Sequence, residues 1–123
     1  MKILALDSSG LVASVAVVEN DTLLAEYTVN YKKTHSQTLL PMLDEVAKMT
    51  ELDLNTIDAI AISGGPGSFT GLRIGLAAVK GLAFPRETLC APVSTLEALA
   101  AAHTGEGTVL CALDARRAQV YSA

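Results

Sequence analysis

The chain has 123 residues with a formal net charge of −4, and half of them are hydrophobic while only 4% are aromatic. That length suits one domain with a real core, and the aliphatic composition suits an α/β layer structure. The acidic balance argues against nucleic-acid binding by this chain alone, since phosphate recognition needs a clustered basic face. Lys32-Lys33 and Arg116-Arg117 are too short to reverse it and read as solvated turns.

Met1-Lys2-Ile3-Leu4-Ala5-Leu6-Asp7 lacks the apolar span and cleavage site of a signal peptide, and no run reaches membrane-spanning length, so a cytoplasmic location is expected. Ile3 to Asp7 reads as a strand, Ser8-Ser9-Gly10 as a turn, and Val12 to Glu19 and Thr22 to Asn30 as two further strands. Connections this short predict an antiparallel β1-β2-β3 meander. From Ser36 to Thr50 the apolar period becomes helical, with Thr34 or Ser36 as N-cap and Pro41 early in the helix. A strand over Asp58 to Ile62 leads into a glycine turn and a helix from about Thr70 to Phe84. Thr88 to Val93 is a strand. Ser94-Thr95-Leu96-Glu97 is a capping box for a helix reaching His103. Thr108 to Leu113 and Ala118 to Ser122 complete the order β-β-β-α-β-α-β-α-β-β, a mixed sheet covered by helices with no repeat within the chain. A sequence stopping partway into a strand is expected to continue beyond it. Cys90 and Cys111, in apolar stretches, read as core thiols.

The glycine turn, Ser63-Gly64-Gly65-Pro66-Gly67-Ser68-Phe69-Thr70-Gly71-Leu72-Arg73-Ile74-Gly75, joins a strand to a helix start. It is neither a Walker loop nor a dinucleotide fingerprint, because the lysine and the required glycine spacing are missing. Backbone N–H groups there would suit an anion, and glycines equally suit close packing; the residues leave both open.

Both long helices carry wide apolar surfaces. In the first, Leu39, Leu40, Met42, Leu43, Val46, Ala47 and Met49 sweep roughly 180°, more than a single core contact needs. Leu39, Leu40, Leu43, Val46 and Ala47 are expected on the sheet, with Met42 and Met49 as a flanking ridge. In the second, Arg73 and Lys80 are the only charges, while Gly71, Gly75, Ala78 and Gly81 remove bulk so that another helix can approach. The expected partner interface is Leu39, Met42, Leu43, Val46, Met49, Gly71, Arg73, Ile74, Gly75, Ala78 and Lys80; the alternative is that neighbouring helices of this same domain bury these faces. A bulky residue at Gly75 or Ala78 is then expected to block association without unfolding the domain.

The sequence resembles the TsaB (YeaZ) branch of the Kae1/TsaD family, also called the glycoprotease or M22 peptidase family. Ile3-Leu4-Ala5-Leu6-Asp7-Ser8, His35-Ser36-Gln37 with Leu40-Pro41-Met42, the stretch from Gly65 to Gly75, and Asp114-Ala115-Arg116 carry the resemblance. It implies a ribonuclease-H-like, actin-like ATPase (ASKHA) fold, with residues 1-123 as a single such domain, the N-terminal half of a two-domain protein. It implies a role in making N6-threonylcarbamoyladenosine (t6A) at position 37 of tRNA, as a non-catalytic scaffold that activates TsaD. The implied partners are a second copy (homodimer) and TsaD with the ATPase TsaE, with tRNA met only through the complex and no membrane. The alternatives are a nucleotide-hydrolysing enzyme of the same superfamily, the older peptidase reading, and a self-associating structural domain.

Residue by residue, the family's chemistry is not carried over. TsaD-type members bind metal through a Val-Asn-His-x-x-x-His pattern after the signature. Here Val93-Ser94-Thr95-Leu96-Glu97-Ala98-Leu99 puts Thr95 and Leu99 at the histidine positions, and leucine cannot ligate. No catalytic residue, metal or cofactor is expected. Asp7, with Ser8 and Ser9, occupies the place where actin-like ATPases contact nucleotide, so weak nucleotide binding is assigned there; a strand-end carboxylate bonding to turn amides explains Asp7 equally.

Overall fold

A computed structural model describes residues 1–30 and 34–122; Lys32-Lys33 lies outside the described residues. The chain runs β1 (Lys2–Asp7), β2 (Ala13–Glu19), β3 (Thr22–Val29), α1 (His35–Thr50), β4 (Ala59–Ser63), α2 (Phe69–Ala83), β5 (Leu89–Val93), α3 (Thr95–Ala101), β6 (Ala112–Arg116) and β7 (Gln119–Ser122). The expected element order and meander are present. Five strands form one sheet in the order β3-β2-β1-β4-β5, with β1 antiparallel to β2 and parallel to β4. The hairpin β6-β7 is a separate two-stranded sheet.

Alternation in β1 and β2 follows from the two-residue period of a strand. Leu4, Leu6, Ala13, Val15 and Val17 point to one face and are buried there, together with Ile60 and Ile62 of β4. α1 packs on β2 and β3, α2 packs on β4 and β5, and the helices touch each other over this shared core. The opposite face carries small residues. Ala5, Ala16 and Ala61 line a hollow of about 210 Å³ there, with Ala98 of α3.

Local expectations were met unevenly. Ser94 caps α3 by accepting from the Glu97 N–H at 3.4 Å. Thr34 sits at the N-cap of α1 without a side-chain cap bond, because its hydroxyl pairs with Ser36 Oγ at 2.8 Å. α3 ends at Ala101, and its last turn tightens into short-range bonds from Ala102 and His103. The strand expected over 108–113 begins only at Ala112. Among the described residues the ladder reaches Ala112↔Ser122, and Leu110, ahead of it, is 80% exposed.

Candidate functional site

The glycine turn lies directly on the loop after β1. Two of its donors are used inside the protein, Gly64 N–H donating to Val93 O at 2.8 Å and Ser68 N–H to Ser9 O at 2.7 Å, while Gly65 O accepts from Thr95 N–H at 2.9 Å. Ser68 caps α2 by accepting from Gly71 N–H at 3.2 Å. The buried Ser8 hydroxyl donates to Gly71 O at 2.7 Å. A Cβ on Gly71 would collide with Ser8 O, one on Gly75 with Ser8 Oγ, and one on Gly67 would lie 2.5 Å from Ser9 O. Close packing is therefore what these glycines provide, with α2 and its turn seated on residues 8–9.

Asp7 behaves as a turn residue. Its Oδ1 accepts from Ser9 N–H at 2.9 Å and from Ser9 Oγ–H at 2.6 Å. Asp114 makes the corresponding backbone bond at the irregularity in β6, where its Oδ1 accepts from Arg116 N–H at 2.8 Å. The two turns face each other across an open cleft of about 530 Å³, with Ser9, Gly10 and Ser68 on one side and Asp114 and Arg116 on the other. Thr95 also lines the cleft, its Oγ1 buried without a hydrogen-bond partner among the described residues. Leu99, at the second aligned histidine position, is 46% exposed. Among the described residues no three His, Cys, Asp or Glu side chains are grouped to hold a metal, and no helix is long and apolar enough to cross a membrane.

The expected interface is split by the fold. Leu39, Met42, Leu43 and Val46 are buried in the chain's own core, and so are Gly71 and Gly75. These six are corrected from partner contacts to internal ones. Met42 was expected on a flanking ridge, yet it completes the i, i+3, i+4, i+7 stripe that meets the sheet, and Leu40 turns outward instead. Ile74 and Ala78 are half-buried against the same core. A bulky residue at Gly75 would strike Ser8 before it met any partner.

Met49, Arg73 and Lys80 remain exposed. To them the structure adds Phe69, Leu76 and Phe84, which sequence reasoning missed: Phe69 is 74% and Phe84 87% exposed, with Arg73 stacked over the Phe69 ring at 5.3 Å. Residues 69, 73, 76, 80 and 84 recur at helical spacing. Removing the buried line 71-75-79-83 from α2 would have found them. On α1, Asp44 binds Lys48 at 2.9 Å, and that hydrogen bond, with the carboxylate's charge, holds the Lys48 ammonium above its usual pKa.

Similar proteins place this architecture. Residues 22–123 match the family model for TsaD, tRNA N6-adenosine threonylcarbamoyltransferase. The Haemophilus influenzae tRNA threonylcarbamoyladenosine biosynthesis protein TsaB is 40% identical, over 98% of this chain and 52% of that protein. Bacillus subtilis TsaB is 37% identical, over 99% and 54%. The structure of YeaZ from Pseudomonas aeruginosa superposes with a TM-score of 0.87 at 36% identity, covering 98% of this chain and 58% of that one. Thermus thermophilus RuvC, at 15% identity and a TM-score of 0.54 over 79% of this chain and 66% of its own, shares the fold alone, which is ribonuclease-H-like. The chain thus spans about half the length of the curated relatives it matches. By the family model, and by its likeness to the TsaB (YeaZ) proteins, the chain belongs to the TsaD family.

Proposed function

We propose that this chain is a ribonuclease-H-like docking unit in the synthesis of t6A on tRNA, acting as a non-catalytic partner of TsaD. The observation that carries the reading is the outer face of α2, where Phe69, Leu76 and Phe84 lie in the open beside Arg73 and Lys80. A row of large apolar side chains that contributes nothing to the chain's own core is the surface a protein partner covers. The same face serves a second copy of the chain or TsaD, so the two compete, with TsaE joining the TsaD-bound form.

A nucleotide-hydrolysing reading has less support. Asp7 Oδ1 already accepts two internal hydrogen bonds, and the Ser8 hydroxyl is engaged with Gly71 O. Sedimentation of the chain alone and with TsaD, against a Phe69→Ser, Phe84→Ser double variant, tests the proposal. The parent chain is expected to associate and the double variant to sediment as a folded monomer. An associating double variant, or magnesium-dependent ATP turnover by the chain alone, overturns it.

A further inference from the structure

His35 opens α1 in the sequence His35-Ser36-Gln37, and the docking surface makes no use of it. Its ring lies beside Gly71, with Cδ2 3.4 Å from where a Cβ on that glycine would sit. From there Nε2 reaches 2.6 Å to Gly10 O, in the loop between β1 and β2. A carbonyl oxygen only accepts, so Nε2 must carry the proton.

The loop is tied at successive residues. Ser8 Oγ is bonded to Gly71 O, Ser9 O accepts from Ser68 N–H, and Gly10 O meets His35. Beyond Gly10 no further tie is present among the described residues: Leu11 is 88% exposed, and both residues line the cleft that faces Asp114 and Arg116. The His35 bond is thus the outermost anchor of that wall, and it joins the first residue of α1 to the loop and, through Gly71, to α2.

We propose that His35 is a positioning residue, whose Nε2–H fixes the Ser9–Leu11 wall of the cleft to both helices. The inference is independent of the docking reading, because it concerns the loop between β1 and β2 rather than the outer face of α2, and it needs no partner. Without the ring, the nearest remaining ties of Gly10 and Leu11 among the described residues are those at Ser9. The wall then opens as a local unit while the sheet beneath stays intact.

Two measurements on the full chain test this. In the parent protein, nitrogen-15 spectra of the neutral ring are expected to show a protonated Nε2 with a slowly exchanging proton close to Gly10. An Nδ1-protonated ring overturns the proposal and requires no variant to fold. In His35→Ala, the Ser68 amide, which bonds to Ser9 O, is expected to exchange about tenfold faster, the loss of one modest hydrogen bond, while Leu4 and Leu6 in β1 keep their protection. His35→Gln, whose side-chain amide can donate to the same carbonyl, is expected to recover part of the protection. Unchanged Ser68 exchange in the alanine variant, equal acceleration at Leu4 and Leu6, or a glutamine variant as fast as alanine overturns it.

Discussion

α1 and α2 lie side by side on one face of the sheet, yet they reach it by opposite means. α1 fills the space with large side chains, burying Leu39, Met42, Leu43 and Val46. α2 closes the space by having almost none, burying Gly71, Gly75, Val79 and Ala83. A helix that approaches its sheet through glycines keeps its bulk for its other side. Phe69, Leu76 and Phe84 accordingly stand exposed on α2, while the exposed side of α1 mixes Leu40 and Met49 with Asp44, Glu45 and Lys48. One helix is a pillar of the core; the other divides its residues between the core and the surroundings.

The contrast can be broken from either side. Leu39→Ala removes bulk where bulk is needed and is expected to cost about 3 kcal/mol in urea denaturation. Gly71→Ala adds bulk where none fits, against the Ser8 carbonyl, and is expected to cost about 2 kcal/mol. Gly75→Ala meets a side-chain oxygen instead, so combining it with Ser8→Ala is expected to return about 1 kcal/mol relative to additive losses, which a double-mutant cycle measures. Additivity there would remove Ser8 from the account of why Gly75 is glycine.

The outer face should respond in the reverse sense. Phe69→Ser with Phe84→Ser is expected to leave unfolding free energy within about 0.5 kcal/mol of the parent, while light scattering registers the loss of association. The Asp44–Lys48 pair should matter least. Its stabilisation is present below the usual lysine pKa and disappears as pH rises through the raised value, because the paired ammonium must then lose its proton. Full solvent exposure screens it, so Lys48→Met is expected to leave the melting temperature at neutral pH unmoved.

Much of this was legible in the residues. Short connections between Ile3 to Asp7, Val12 to Glu19 and Thr22 to Asn30 pointed to the meander, and the helical period from Ser36 put Leu39, Leu43 and Val46 on the core side of α1. Met42 was misplaced because methionine suits a core gap as well as an adaptable surface, and sweep around a helix axis does not say which edge of a wide stripe turns inward. The glycines of α2 were assigned to an outside helix for a related reason. Spacing shows that something comes close, and only the fold shows what.

The sequence by itself determined the element order, the Ser94 cap and the family, because these depend on neighbours within a few residues or on the residues themselves. The tertiary structure decided that the glycine stretch sits on Ser8 and Ser9, about sixty positions earlier in the chain, and that the exposed side of α2 is aromatic. Both follow from β1 lying between β2 and β4, which carries the first loop under the start of α2. Strand order is a property of the whole sheet, and no local pattern encodes which distant loop a glycine must admit.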